Sequence, residues 1–112
     1  MFFSDWTYGK WAIDVDIEDV DRFLKLCEDV GIKWCDDTNA LFHCEDVKQG
    51  IVKGQPRFLH NINGRRGLSV TDRRFRYQNF SASYAVFADF DEYRELPNIP
   101  ESCVDSLLHE FT

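Results

Sequence analysis

The sequence predicts an α+β fold: a small antiparallel or mixed sheet of four to five strands, one main helix over about 17–30 packed on it, and a short C-terminal helix. Three observations carry that prediction. Apolar residues between 17 and 30 recur at helical spacing, short apolar runs elsewhere have strand character, and an Asn63-Gly64 pair separates two such runs. The chain has 112 residues, 44% of them apolar, with ten Phe, three Trp and four Tyr, enough to bury one core. Residues 1–112 therefore read as a single α+β domain.

Trp11-Ala12-Ile13-Asp14-Val15 ends in an apolar–polar alternation and reads as the first strand. The period then changes. Ile17, Val20, Phe23, Leu24, Cys27 and Val30 form one apolar stripe, with Asp16 as the expected N-cap and Gly31 as the left-handed residue that ends the helix. Glu18, Asp19 and Asp21 complement the positive N-terminal end of its dipole.

Ile32-Lys33-Trp34-Cys35 reads as a second strand, followed by a turn at Asp36–Asn39 and an apolar stretch Ala40-Leu41-Phe42. Glu45 to Pro56, punctuated by Gly50, Gly54 and Pro56, reads as a loop with a short strand at Ile51-Val52. Asn63-Gly64 predicts a two-residue hairpin between 57–62 and 65–70. Tyr84–Phe87 reads as a last strand, Asp89–Arg94 as a helical turn, and Val104, Leu107, Leu108 and Phe111 as the stripe of a terminal helix beginning near Ser102.

Charge is segregated along the chain. Residues 1–46 carry twelve acids against four bases, residues 47–78 one acid against eight bases, and residues 79–112 seven acids against one base, for a net −7. Such blocks favour charge-driven encounter with a partner. No apolar run reaches membrane-spanning length, and the first residues carry an acid where a signal peptide carries bases, so a cytoplasmic location is expected. Cys27, Cys35, Cys44 and Cys103 form no CxxC and are expected to be free thiols.

No nucleophile elbow, HExxH or phosphate-binding glycine loop is present, and adjacent His43-Cys44 points to opposite faces if extended. No catalytic residue, metal site or cofactor is therefore assigned, and the chain is expected not to be an enzyme. Two surfaces remain as partner-binding candidates. Arg57, Arg65, Arg66, Arg73, Arg74 and Arg76 are interleaved with Phe75 and Tyr77, suiting carboxylates or phosphates. Asp14, Asp16, Glu18, Asp19 and Asp21 offer a row of carboxylates able to imitate nucleic-acid phosphates, with Trp6 and Tyr8 as candidate apolar anchors. For the arginines, pairing with the chain's own acids or with a second copy in a twofold dimer ranks first, another protein second, and nucleic acid third, because overall acidity opposes a polyanion.

Lys10-Trp11-Ala12-Ile13-Asp14-Val15, Phe23-Leu24-Lys25-Leu26-Cys27-Glu28 and Gly31-Ile32-Lys33-Trp34 resemble the strand–helix–strand opening of small phage-encoded accessory proteins. The resemblance covers residues 10–35 and is a packing pattern. It implies a non-enzymatic phage or prophage protein that binds and inhibits a host defence protein, such as an anti-CRISPR inhibitor of a Cas effector. A nucleic-acid-binding regulator using residues 53–76 is the alternative.

Overall fold

The computed structural model describes residues 6, 9, 11–62, 64–74, 86–88, 93 and 96–99. The expected terminal helix lies outside them, as do Tyr8, Phe75, Arg76, Tyr77, Tyr84, Ala85, Cys103 and most of the expected turn at 89–94. In chain order the elements are β1 (Ile13–Asp14), a 3-10 turn (Ile17–Asp19), α1 (Val20–Asp29), a second 3-10 turn (Ala40–His43), α2 (Cys44–Gly50), β2 (Pro56–His60) and β3 (Leu68–Asp72).

The main helix forms where its stripe predicts. Val20, Phe23, Leu24 and Cys27 are buried, with Ile17 and Val30 packed against the same cluster. Its C-terminal end is closed by paired bonds, Gly31 N–H to Glu28 O at 3.0 Å and Ile32 N–H to Cys27 O at 2.9 Å, with Gly31 at φ +82°. These two bonds satisfy carbonyls that the helix itself leaves unpaired. At the other end Asp16 is extended and makes no side-chain capping bond; the chain enters through the 3-10 turn, whose Asp19 N–H meets the Asp16 carbonyl at 2.8 Å.

Among the described residues the sheet contains three antiparallel strands in the order β1-β2-β3, where four to five are expected of the chain. Two of the expected strands appear as single bridges on the far side of β3, Trp34 opposite Leu68 and Phe87 opposite Val70, both parallel. Space explains the first shortfall. The helix-ending bonds reach Ile32, and a turn begins at Trp34, with Asp37 N–H on the Trp34 carbonyl at 2.8 Å and Asp37 at φ +69°. Little extended chain remains between them, and Gly67 allows the approach: a Cβ there would lie 2.8 Å from the Lys33 carbonyl.

The hairpin is looser than a two-residue turn. Pairing ends at His60 opposite Leu68, leaving Asn61 to Gly67 as the connection. A bond from Arg65 N–H to Ile62 O at 2.9 Å does span Asn63-Gly64. The strands stop short of it where Asn61 leaves the extended region at φ +53°, and Ile62 then joins Ala12, Leu59, Ala88 and Tyr93 in a second apolar cluster.

Residues 40–50 depart furthest from expectation, being helical where an apolar stretch and a loop were read. Ala40, His43, Cys44, Val47 and Ile51 are buried at helical spacing, and all but His43 join the main core with α1. Trp6, expected as an exposed anchor, is buried in that core as well. Its Nε1–H donates to the Phe58 carbonyl at 3.1 Å, and its ring meets Phe23 edge-on at 5.9 Å.

Candidate functional site

Strand register decides which charges reach the surface. Ile13, Phe58 and Val70 lie opposite one another in one cross-strand row, and Asp14, Arg57 and Thr71 in the next. The first row enters the main core. In the second, Arg57 Nε–H donates to Asp14 Oδ1 at 2.8 Å and Nη2–H to Oδ2 at 3.3 Å, while Nη1–H donates to the Leu96 carbonyl.

The Arg57 and Asp14 side chains are only 2% and 3% exposed, and Arg73 adds a bond to Asp14 Oδ2 at 2.6 Å from its half-exposed side chain. Arg57 and Asp14, expected on binding surfaces, are thus interior partners: strand alternation turns them to the face opposite the main core, and that face is covered too, by the Leu96 segment and the second apolar cluster. Of the remaining candidate arginines that are described, Arg65 is half-buried with Nη2 3.3 Å from Cys35 Sγ, and Arg66 and Arg74 are exposed. Arg74 is held by its backbone, its N–H meeting Asp72 Oδ1 at 2.8 Å.

The acids after Asp14 have another fate. Asp16, Glu18, Asp19 and Asp21 are exposed, and among the described residues the first three make no side-chain hydrogen bond or ion pair. Asp21 faces α2. It accepts from the Cys44 thiol at 2.7 Å and from Lys48 Nζ at 2.7 Å, and Lys48 also lies 3.7 Å from Glu45. These two donors, Cys44 first, hold the Asp21 carboxyl below its usual range, and the same contact raises Lys48. Burial and then the bond to Asp21 push the Cys44 thiol up to about 12, so it stays protonated at neutral pH.

Beneath this surface lies the buried His43, which the sequence did not single out as a structural centre. Its Nε2 lies 2.6 Å from Asp36 Oδ2 and its Nδ1 2.8 Å from Asp46 Oδ2. Each of the two carboxylates thus meets one ring nitrogen. The imidazole packs edge-on against Trp34 at 5.7 Å and against Phe42 at 4.9 Å. Burial opposes ionisation of Asp36, but bonds from Thr38 and His43 outweigh it and hold that carboxyl below its usual range.

Because His43 spends its two nitrogens on opposite edges of the ring, the three groups do not converge on a point. Among the described residues no three His, Cys, Asp or Glu side chains are grouped to hold a metal ion. Cys27 and Cys44 are free thiols and buried, and Cys35, half-buried, takes the Arg65 contact. Burial raises the thiols of both Cys27 and Cys35.

At the surface the two helices are joined by Asp21 of α1, which reaches Cys44 and Lys48 of α2. Residues 16–50 hold ten acids against four bases. Phe42, at 71% exposure, and Leu41, at 37%, stand out of it. Among the described residues no helix is long and apolar enough to cross a membrane. Comparison with protein-family models, with curated proteins and with solved structures returns no match.

Proposed function

We propose that this chain is a non-enzymatic binding protein of phage or prophage origin that inhibits a host defence protein in the host cytoplasm. The effector class we favour is a nucleic-acid enzyme such as a Cas effector, engaged through the acidic helical face. The observation that carries this reading is the contrast in pairing: Asp14 neutralises Arg57 and Arg73 inside the fold, whereas Asp16, Glu18 and Asp19 are exposed without side-chain partners among the described residues. Exposed carboxylates of this kind complement a basic groove built for phosphates.

The phage origin rests on the resemblance at residues 10–35. Capture with the tagged chain from nuclease-treated host lysate is expected to return one stoichiometric protein. The Glu18→Lys/Asp19→Lys variant should lose that protein. Added substrate DNA should compete with the chain for it, and the chain should block its cleavage reaction. Capture that disappears with nuclease would transfer the function to nucleic-acid binding through Arg65, Arg66 and Arg74. Capture unaffected by the reversals would remove the acidic face from the mechanism.

A further inference from the structure

The turn that carries Phe42 is fixed on every side except the one it shows to solvent. Trp34 Nε1–H donates to the Ala40 carbonyl at 2.7 Å, Phe42 N–H meets the Asn39 carbonyl at 2.9 Å, and His43 is held between Asp36 and Asp46. Its neighbours Ala40, His43 and Cys44 are buried, yet Leu41 and Phe42 are the exposed pair between them.

A single exposed apolar side chain is ordinary. What distinguishes this pair is its rim. Glu45 and Asp46 follow Phe42 at i+3 and i+4, the spacing that puts side chains on one side of a helix, and Asp36 is tied in through His43. The nearby cation, Lys48, is already engaged by Asp21 and Glu45.

We propose that Phe42 and Leu41 are the apolar anchor of the acidic face, and that their occupant is an amphipathic, Lys- and Arg-rich protein segment. Its apolar side chains cover Phe42 and Leu41 while its cations reach Asp36, Glu45 and Asp46. This deepens the reading of the acidic face and rests on it. The carboxylate rim repels nucleic acid and anionic lipid, so charge complementarity selects a basic protein segment. Because the backbone is already held in place, little order has to be imposed on this side of the contact when the segment docks.

The test uses the full chain and two synthetic peptides of identical Lys and Arg content, one with Leu at helical spacing and one with Ser at those positions. Titrations at low salt are followed by calorimetry and by amide chemical shifts. The Leu peptide is expected to bind about tenfold more tightly, as burial of an apolar side chain predicts, with shifts centred on residues 36–46. In Phe42→Ser that advantage should vanish while affinity for the Ser peptide is unchanged; Phe42→Leu should retain much of it.

A Leu advantage that persists in Phe42→Ser, or shifts centred on the hairpin, would overturn the anchor. Glu18→Lys, Asp19→Lys and Glu45→Lys together should weaken both peptides. If they weaken neither, or if neither peptide binds the native chain, the acidic-face reading falls with the anchor. Equal binding of the two peptides to the native chain removes the anchor and leaves that reading standing. Sedimentation of the free chain separates the remaining occupant: a dimer abolished by Phe42→Ser would replace the basic segment with a second copy.

Discussion

Asp14 and Asp16 lie two positions apart and live in different physical worlds. Asp14 sits in a cross-strand row opposite Arg57, its side chain 3% exposed and bonded by two arginines. Asp16 is exposed at the entry to a helix and makes no capping bond with its side chain. The difference shows that the charge of a segment does not measure what it offers a partner. Strand register sets one carboxylate against a guanidinium on a sheet face that the Leu96 segment covers, and the turn that follows returns the next to the surface.

The largest expected effect tests the interior side of that comparison. Asp14→Ala leaves Arg57 buried without its carboxylate, which should cost about 3–5 kcal/mol of folding free energy. Urea denaturation followed by circular dichroism measures it. Asp16→Ala in the same assay should stay within about 0.5 kcal/mol, as an exposed residue without partners does. The Asp14→Leu/Arg57→Met double variant sharpens the contrast: replacing both charges with apolar groups should recover most of the loss. A double variant as unstable as Asp14→Ala would mean that the Arg57 bond to the Leu96 carbonyl, or packing of this row, dominates instead.

How far the sequence could reveal this follows from the same contrast. Local signals were legible: the stripe over Ile17–Val30 and the closing role of Gly31 both depend on neighbours within one or two turns. The Asp14–Arg57 pair is separated by 43 positions and depends on register, which no local spacing encodes. The second helix is a different failure. Ala40, Cys44, Val47 and Ile51 carried helical spacing, but the charged residues between them and the glycines beyond made the segment resemble a loop.

Context also overrides identity. Cys-Glu-Asp-Val occurs at 27–30, closing one helix, and again at 44–47, opening the other. The candidate surface was half legible for the same reason. Its acids could be counted, whereas the exposure of Phe42 depends on the clamp around His43, whose partners lie three positions one way and seven the other.

That clamp supports an intermediate effect, since it joins a buried ring to carboxylates that solvent still reaches. His43→Leu should cost about 1–3 kcal/mol by removing the donors from Asp36 and Asp46. The bonds from Thr38 and His43 hold the Asp36 carboxyl below its usual range against the opposing effect of burial. Its ionised form therefore stabilises the fold above the ordinary Asp value of 3.8, and that contribution is lost as pH falls through the lower folded-state value. Asp36→Asn should consequently flatten the acid limb of a stability–pH curve and change little of its shape near neutrality. An unchanged acid limb would assign acid sensitivity to other carboxylates, Asp21 first, because it too is held below its usual range.

The smallest effect on folding belongs to the residues on which the proposed function depends most. Glu18 and Asp19 lie in the first turn ahead of α1, where their charges favour the positive end of the helix dipole. Glu18→Lys/Asp19→Lys should therefore destabilise the chain slightly, by about 0.3–1 kcal/mol per site at low ionic strength, and added salt should shrink the difference. The same variant should lose partner capture. A fold that survives reversal while binding does not is what an outward-facing charge requires, and Asp14 cannot show that separation because removing it unbalances the interior first. If the reversal instead unfolded the chain, Glu18 and Asp19 would belong with Asp14 as structural charges, and the distinction between the two acidic groups would collapse.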